Sequence, residues 1–314
     1  MNPHARGVTP QIISHDTRIF RFTLPTPEHV LGLPVGQHVF LRGMVDGKLV
    51  QRAYTPLRHG PGYVDFVIKV YFKDVHPRFP AGGLLTQHLD AMEVGARLEF
   101  KGPMGEFAFN TSELPEGVKM SEVSARPPRP FQTLRDPTSE PLKRPPTYAY
   151  RRPAPTAPPP RSVLARAQMP LNTFTHTVTS EKVDFRSIGL IAGGSGITPV
   201  LQVSEALLAT QANVKIGILY ANQTEGDILC RDELNRLERD HPTRIKVWYT
   251  LDRPPTEGWK YSSGFINEEM VKEHLPKASE HTVTFMCGPP PMIKFACIPN
   301  LLKVGHAETT FFSF

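Results

Sequence analysis

Residues 188–203 read IGLIAGGSGITPVLQV. Ile188–Ala192 is a short apolar run, Gly193–Pro199 a glycine-rich turn, and a helix runs from Pro199 to about Thr210. On that helix Val200, Val203 and Leu207 share one face. Strand, tight turn and helix in this order form the unit of a parallel α/β sheet. Thr198 suits the N-cap and Pro199 the first helical position. Glycines at 193, 194 and 196 let backbone approach an anionic group at the positive end of the helix. The spacing is not G-x-G-x-x-G, so the usual dinucleotide fingerprint does not match, and a purely structural turn is the alternative.

The same alternation continues downstream. Strands are expected at Val214–Ala221, Ile245–Thr250 and Thr282–Cys287, with helices at Arg231–His241 and Asn267–Leu275. After Cys287 the string GPPPM precedes a short helix to about Ala296, and the last strand is Thr309–Phe314. Residues 187–314 therefore read as a parallel sheet covered on both faces. Upstream the period changes to two. In Tyr63–Phe72, Val64, Phe66, Ile68, Val70 and Phe72 fall on one face. Arg18–Leu24, His38–Val45, Leu49–Thr55, Arg97–Lys101 and Glu106–Phe109 are further strands, with one helix at Gly83–Met92. Short strands with regular turn residues predict a small antiparallel barrel.

The chain has 314 residues, 39% apolar and 21% charged, enough for two domains with separate cores. No run of about 18 apolar residues occurs, so no transmembrane anchor is expected. The start, MNPHARG, lacks the apolar core of a signal peptide, and Asn2 excludes myristoylation. Three cysteines argue for a reducing compartment and against a disulfide scaffold. The twelve histidines show no metal-ligand spacing, so no metal is expected.

Proline, at 33 residues, is about twice its usual share, and the excess is local. Residues 117–175 hold 13 prolines, ten Lys or Arg and three Asp or Glu, a net charge of +7. The whole chain is +6, so the remainder is −1. The basic pI thus belongs to one segment and is not the footprint of nucleic-acid binding. That segment has neither helical nor strand period, and disorder is expected. Arg152–Pro158 fits an R-x-x-P-x-x-P ligand for SH3-type domains, a match any Pro/Arg-rich tract yields.

Four other motifs carry chemistry. In RAYTP, Arg52 and Tyr54 point the same way on a strand: a guanidinium can grip a phosphate, and a ring two residues on can cover a flat heterocycle. In AGGLLT, Gly82 and Gly83 open a helix whose N–H groups, with Thr86, can meet an anion. In YTLDRPP, Asp252 stands just past a strand's carboxyl end, placed to accept from a ribose hydroxyl and to repel a 2′-phosphate. In CGPPPM, Cys287 has no neighbouring base to make it a nucleophile, but a small neutral thiol suits a place beside a nicotinamide. Taken singly, each also reads as ordinary strand, turn or cap.

Taken together and in order, RAYTP, VIKVYFKDVHPRFPAGG, GPMGEF, IAGGSGITPVLQV, YANQTEGDIL, WYTLDRPP and MCGPPPMI closely resemble the NADH–cytochrome b5 reductases, ferredoxin-reductase-like flavoproteins. The resemblance spans residues 9–109 and 187–314. It implies an FAD-binding barrel domain at 1–109, an interdomain region at 110–186, and an NADH-binding α/β domain at 187–314. By resemblance, Arg52 binds the FAD pyrophosphate, Ala53 is a further cofactor-binding position, and Tyr54 packs on the flavin. Thr55 lies near the hydride-accepting N5. Val67, Lys69, Tyr71 and Phe72 line the flavin site, with Lys69 toward the nicotinamide and able to stabilise negative charge on the reduced flavin. Gly82, Gly83, Leu84, Leu85 and Thr86 wrap the FAD phosphates. Gly193, Gly194, Ser195 and Gly196 take the NADH pyrophosphate, Thr198 touches both cofactors, and Asp252 and Phe265 hold the adenosine. Cys287, Gly288, Pro289 and Met292 sit by the nicotinamide. Thr55, Lys69 and Cys287 are thus the expected catalytic residues.

The resemblance further implies hydride transfer from NADH to FAD and single-electron transfer to cytochrome b5 or a similar haem protein. The protein is expected as a monomer, in the cytoplasm or held at a membrane through its partner. The same unit feeding another acceptor, or a scaffold acting through the Pro-rich segment, are the alternatives. The sequence departs from the family at Leu84 (commonly Lys), Met104 (commonly Ser) and Ser195 (usually Thr), while Phe312 and Phe314 keep the family's terminal aromatic register. A barrel strand upstream of Thr9 is missing by resemblance. Residues 117–175 far exceed the family's loop, as a disordered insertion or, the preferred reading given the break in composition, as translated non-coding sequence.

Overall fold

The computed structural model describes residues 10–75, 80–109, 173–177, 180–210 and 213–314. The N-terminal part runs through β1 (Gln11–Ile12), β2 (Thr17–Thr23), β3 (His38–Val45), β4 (Lys48–Tyr54), β5 (Arg58–Gly60) and β6 (Tyr63–Lys69). Helix α1 (Leu84–Asp90), β7 (Glu99–Met104) and β8 (Phe107–Phe109) follow. Its strands form two antiparallel sheets, ordered β1-β2-β6-β5 and β4-β3-β7. They share one core of Phe20, Phe22, Leu41, Phe66 and Phe100, closed by Leu85 and Leu89 of α1. Phe22 and Phe100 meet edge to face at 5.4 Å. Each such buried side chain contributes about 1.5–3 kcal/mol over an exposed one.

β6 is buried on both faces. Val64, Phe66 and Ile68 enter this core, while Val67 joins the core of the C-terminal half. Asp65, 2% exposed, is neutralised by the Arg21 guanidinium through two 2.7 Å hydrogen bonds. The predicted strand to Phe72 stops at Lys69. Thr17 is the last cross-strand partner, and the Val70 N–H turns to the Asp16 carbonyl at 2.6 Å.

The C-terminal half contains β11 (Ser187–Gly193), α2 (Ile197–Ala209), β12 (Lys215–Asn222), α3 (Arg231–Asp240), β13 (Ile245–Leu251), β14 (Ser262–Ser263), α4 (Glu268–His274), β15 (Thr282–Cys287) and β16 (Phe311–Ser313). Its β9 (Thr173–His176) and β10 (Lys182–Asp184) come first in the chain. The six strands β14-β13-β12-β11-β15-β16 form one parallel sheet. Its central strands β11 and β15 are buried nearly throughout, as continuous apolar runs require. The helix expected at Pro199 begins two residues earlier. Gly194–Gly196 winds as a 3-10 turn directly into Ile197, so Thr198 lies inside the helix and makes no cap. The short helix expected to end near Ala296 continues through a wide turn, Ile293–Cys297, to Ile298–Lys303.

The halves are tied by a third sheet, β10-β9-β8. Phe107 and Phe174 of this sheet pack against Phe285 and Phe312 of the parallel sheet at 5.1–5.4 Å. Gly36 N–H donates to Gln202 Oε1 at 2.9 Å, and Arg58 pairs with Glu233 at 2.5 Å across the same junction. The expectation for 117–175 lies outside the described residues up to 172. Thr173–Thr175, expected to be disordered with it, stand in β9, because Phe174 is fully buried and pairs with Phe109 and Val183. The R-x-x-P-x-x-P string and the segment upstream of Thr9 also lie outside the described residues. No helix among the described residues is long and apolar enough to cross a membrane.

Candidate functional site

The carboxyl ends of β11, β12, β13 and β15 lie along one edge of the parallel sheet, where α/β folds bind ligands. Facing them are the ends of β4 and β6. Between lies a cleft of about 940 Å³. One wall carries Ala53, Tyr54, Thr55, Val67, Lys69 and Tyr71. The other carries Gly193, Gly194, Ser195, Gly196, Thr198, Asp252, Phe265, Cys287, Gly288, Pro289 and Met292. Segments far apart in sequence therefore meet in one site.

The glycine turn has two kinds of glycine. A Cβ on Gly196 would meet the Cys287 carbonyl, and one on Gly193 would lie 2.7 Å from Met292 Sδ and 2.9 Å from Pro289 Cδ. These two let the GGSG and CGPPPM loops lie against each other. Gly194 differs: its φ is +53° and its Cβ position is open, so it can offer bare backbone to a ligand. Its carbonyl accepts from the Tyr220 hydroxyl at 2.9 Å, and that hydroxyl accepts from Leu229 N–H at 3.3 Å. Tyr220 is fully buried and pins the turn from below. The Thr198 hydroxyl donates back to the Ser195 carbonyl at 3.3 Å.

On the opposite wall, Tyr54 packs edge-on against Phe66 at 6.4 Å. Burial, with Tyr71 nearby, pushes its hydroxyl up to about 12, so it stays neutral. His38 also lines this wall, and burial pushes its pKa down. Arg52 is exposed outside the cleft and donates to the Gln51 carbonyl at 2.7 Å. Phe72, Gly82, Gly83, Leu84, Leu85 and Thr86 form a neighbouring cluster outside the cleft lining. There Gly83 N–H donates to the Tyr71 carbonyl at 2.7 Å. The Thr86 hydroxyl accepts from Tyr71 N–H at 3.2 Å and donates to the Gly83 carbonyl at 3.1 Å. That hydroxyl is engaged within its own loop. Leu85 is a core side chain, and Leu84 is half-exposed.

Lys69 reaches the cleft between two carboxylates, 2.7 Å from Asp16 Oδ2 and 3.6 Å from Asp227 Oδ1. Burial pushes its pKa down, but the Asp16 hydrogen bond and the two negative charges outweigh this and hold it above 10.5. Burial likewise pushes Asp16 up, and Lys69 outweighs it, holding that carboxyl below 3.8. His15, Asp16 and Asp227 bring ligand-type atoms within 4.8 Å of one another, and the Lys69 ammonium is the cation paired with both carboxylates. Burial pushes the Cys287 thiol up to about 11, which keeps it neutral. Burial raises the Asp252 carboxyl, opposed by Arg253.

Several lining residues were not singled out from sequence: Thr17, His38, Asn222, Asp227, Leu229 and Phe295. TEGDIL lies inside a resembling motif, yet nothing local marks Asp227 as facing a lysine 158 positions earlier. Asn222 is 7% exposed, and its amide makes no hydrogen bond of good geometry among the described residues. A buried amide without a well-formed hydrogen bond among the described residues, bare backbone at Gly194 and an apolar far wall fit a ligand with a flat ring system and polar, anionic middle.

Residues 7–109 match the oxidoreductase FAD-binding domain family and residues 190–298 the oxidoreductase NAD-binding domain family. NADH-cytochrome b5 reductase 3 of Rattus norvegicus is 42% identical over 98% of this chain and 85% of its own length. NADH-cytochrome b5 reductase 2 of Homo sapiens is 40% identical over 100% of this chain and 96% of its own. The cytochrome b5 reductase domain of Ulva prolifera nitrate reductase superposes with a TM-score of 0.75 at 37% identity, over 99% of this chain and 96% of that one.

Proposed function

The chain belongs to the NADH–cytochrome b5 reductase family of FAD- and NAD-binding oxidoreductases, and from that premise we propose how its cleft works and what it serves. Bound FAD supplies a hydride acceptor that can release electrons one at a time to a haem protein such as cytochrome b5. The protein's work is alignment. Tyr54, Thr55 and Val67 hold the flavin ring on one wall, and Arg52 with Gly82–Thr86 holds its phosphates. Gly194, Ser195 and the start of α2 receive the NADH pyrophosphate, and Asp252 and Phe265 the adenosine. Cys287, Gly288, Pro289 and Met292 back the nicotinamide, with Cys287 as a small neutral wall. Lys69 is placed to stabilise negative charge at the ring junction.

The observation carrying this reading is the meeting of Ala53–Thr55, Val67, Lys69 and the GGSG and CGPPPM residues around one cleft. The purified protein's visible spectrum tests it. A yellow flavin spectrum bleached anaerobically by NADH, and far less by NADPH, is expected. A protein that stays colourless with added FAD overturns it.

Cytochrome b5 is the proposed acceptor. The likeness to a nitrate reductase domain favours a second reading, the same unit feeding another haem protein, and an acceptor panel separates the two. The protein is proposed as a monomer in the cytoplasm, or peripheral to membranes through its partner. Three unpaired thiols support a reducing compartment. The two cofactor domains are proposed at 1–109 and 187–314.

A further inference from the structure

Lys69 stands at the end of β6 in the flavin half, and Asp16 beside it belongs to the same half. Asp227 belongs to the other half. It closes the short 3-10 turn Glu225–Asp227, and its Oδ2 accepts from Thr224 N–H at 3.0 Å and Thr224 Oγ1 at 2.6 Å. That capping box holds the carboxylate in place and leaves Oδ1 toward the Lys69 ammonium. At 3.6 Å this is attraction of charge without a hydrogen bond, whereas the 2.7 Å contact to Asp16 is a charge-assisted hydrogen bond. Asp16 Oδ1 accepts from the Ser14 and Thr17 hydroxyls at 3.1 and 3.0 Å, which holds the carboxylate with Oδ2 toward Lys69. Each carboxylate side chain is 13% exposed and Lys69 25%, so solvent screens the trio weakly. Lys69 and Asp227 both line the cleft.

We infer that Asp227 is a positioning residue. Its charge, presented from the nicotinamide half, adds a second attraction to an ammonium that Asp16 already holds at 2.7 Å, and so fixes the direction of that ammonium over the cleft where the two cofactors meet. This rests on reading the cleft as the FAD and NADH site. Without the Asp227 charge, Lys69 would keep its hydrogen bond to Asp16 but lose its attraction across the cleft, and the ammonium would be free to turn about that bond.

The test is stopped-flow bleaching of the FAD-loaded protein by NADH. Asp227→Asn keeps an oxygen for the Thr224 cap and removes the charge. Asp227→Glu keeps both, since Glu is the usual residue at that capping position. Asp227→Asn is expected to slow bleaching roughly three- to tenfold, with Asp227→Glu recovering most of the loss, within the coupling expected of contacting charged groups. In a Lys69→Met background, Asp227→Asn should add less than about a twofold effect. An Asp227→Asn rate equal to the parent's, or an equal loss with and without Lys69, overturns the inference, the latter because a structural role persists without the lysine. If Lys69→Met does not retain flavin, the Asn and Glu variants decide alone. A parent protein that NADH does not bleach refutes the functional reading instead.

Discussion

Gly196 lies so close to Cys287 that a Cβ on the glycine would run into the cysteine's carbonyl. The phosphate-type turn and the CGPPPM loop are therefore one packed unit. Gly196→Ala forces backbone apart and is expected to cost about 1–3 kcal/mol and to weaken NADH reduction strongly. Gly194→Ala meets open space but a φ of +53°, so it should cost about 1–2 kcal/mol and raise the NADH KM by intruding on the ligand's approach. Thermal melts and NADH titrations of the two variants check this. A larger melting loss in Gly194→Ala would contradict it.

Tyr220 supports the same turn from within the sheet. Tyr220→Phe removes both the donor to Gly194 and the acceptor for Leu229, in a site with no solvent access. The expected loss is about 1–3 kcal/mol, with a melting point several degrees lower. A variant melting with the parent would show the hydroxyl to be dispensable.

Nucleotide preference should follow Asp252. A carboxylate at that strand end repels a 2′-phosphate, so Asp252→Asn should raise the ratio of NADPH to NADH kcat/KM by roughly tenfold, about 1.4 kcal/mol. Steady-state kinetics with both nucleotides read it directly. An unchanged ratio would move discrimination elsewhere in the cleft.

Alkaline stability should be set partly by the thiols. Burial pushes Cys230 and Cys297 up to about 12 and Cys287 up to about 11, against 9.0 for the unfolded chain. As pH rises past 9, the unfolded chain releases protons the folded chain keeps, and stability falls. The Lys69 pairing, with its pKa held above 10.5, is lost only beyond that point. Urea midpoints should be flat from neutrality to about pH 9 and decline by pH 11, less steeply in Cys297→Ala. A midpoint constant to pH 11 would refute the linkage.

Legibility from sequence tracked the range of the interaction. Ile188–Ala192 and Thr282–Cys287 are legible because a fully covered strand is a continuous apolar run. β9 and β10 are not, because Thr173–His176 is short and its burial comes from Phe109, Phe285 and Phe312, contributed by distant segments. The helix starts at Ile197, two residues before the start that Thr198 and Pro199 signal locally, because the preceding glycines wind into the helix first.

The alternation of elements and the chemistry of the loops between them are written in the sequence, since periodicity, glycine turns and residue type act over a few positions. Which loops meet is set by the packing of the two halves. The tertiary structure placed Asp227 against Lys69, Tyr220 beneath Gly194 and the Cys287 carbonyl against Gly196, and it engaged the Thr86 hydroxyl within its own loop. These contacts arise when the two halves are docked by the β8–β9–β10 sheet and by a core to which Leu57, Val67, Phe107 and Phe109 of the first half contribute, and charge pairing, buried hydrogen bonds and close packing then act between residues that no local pattern links.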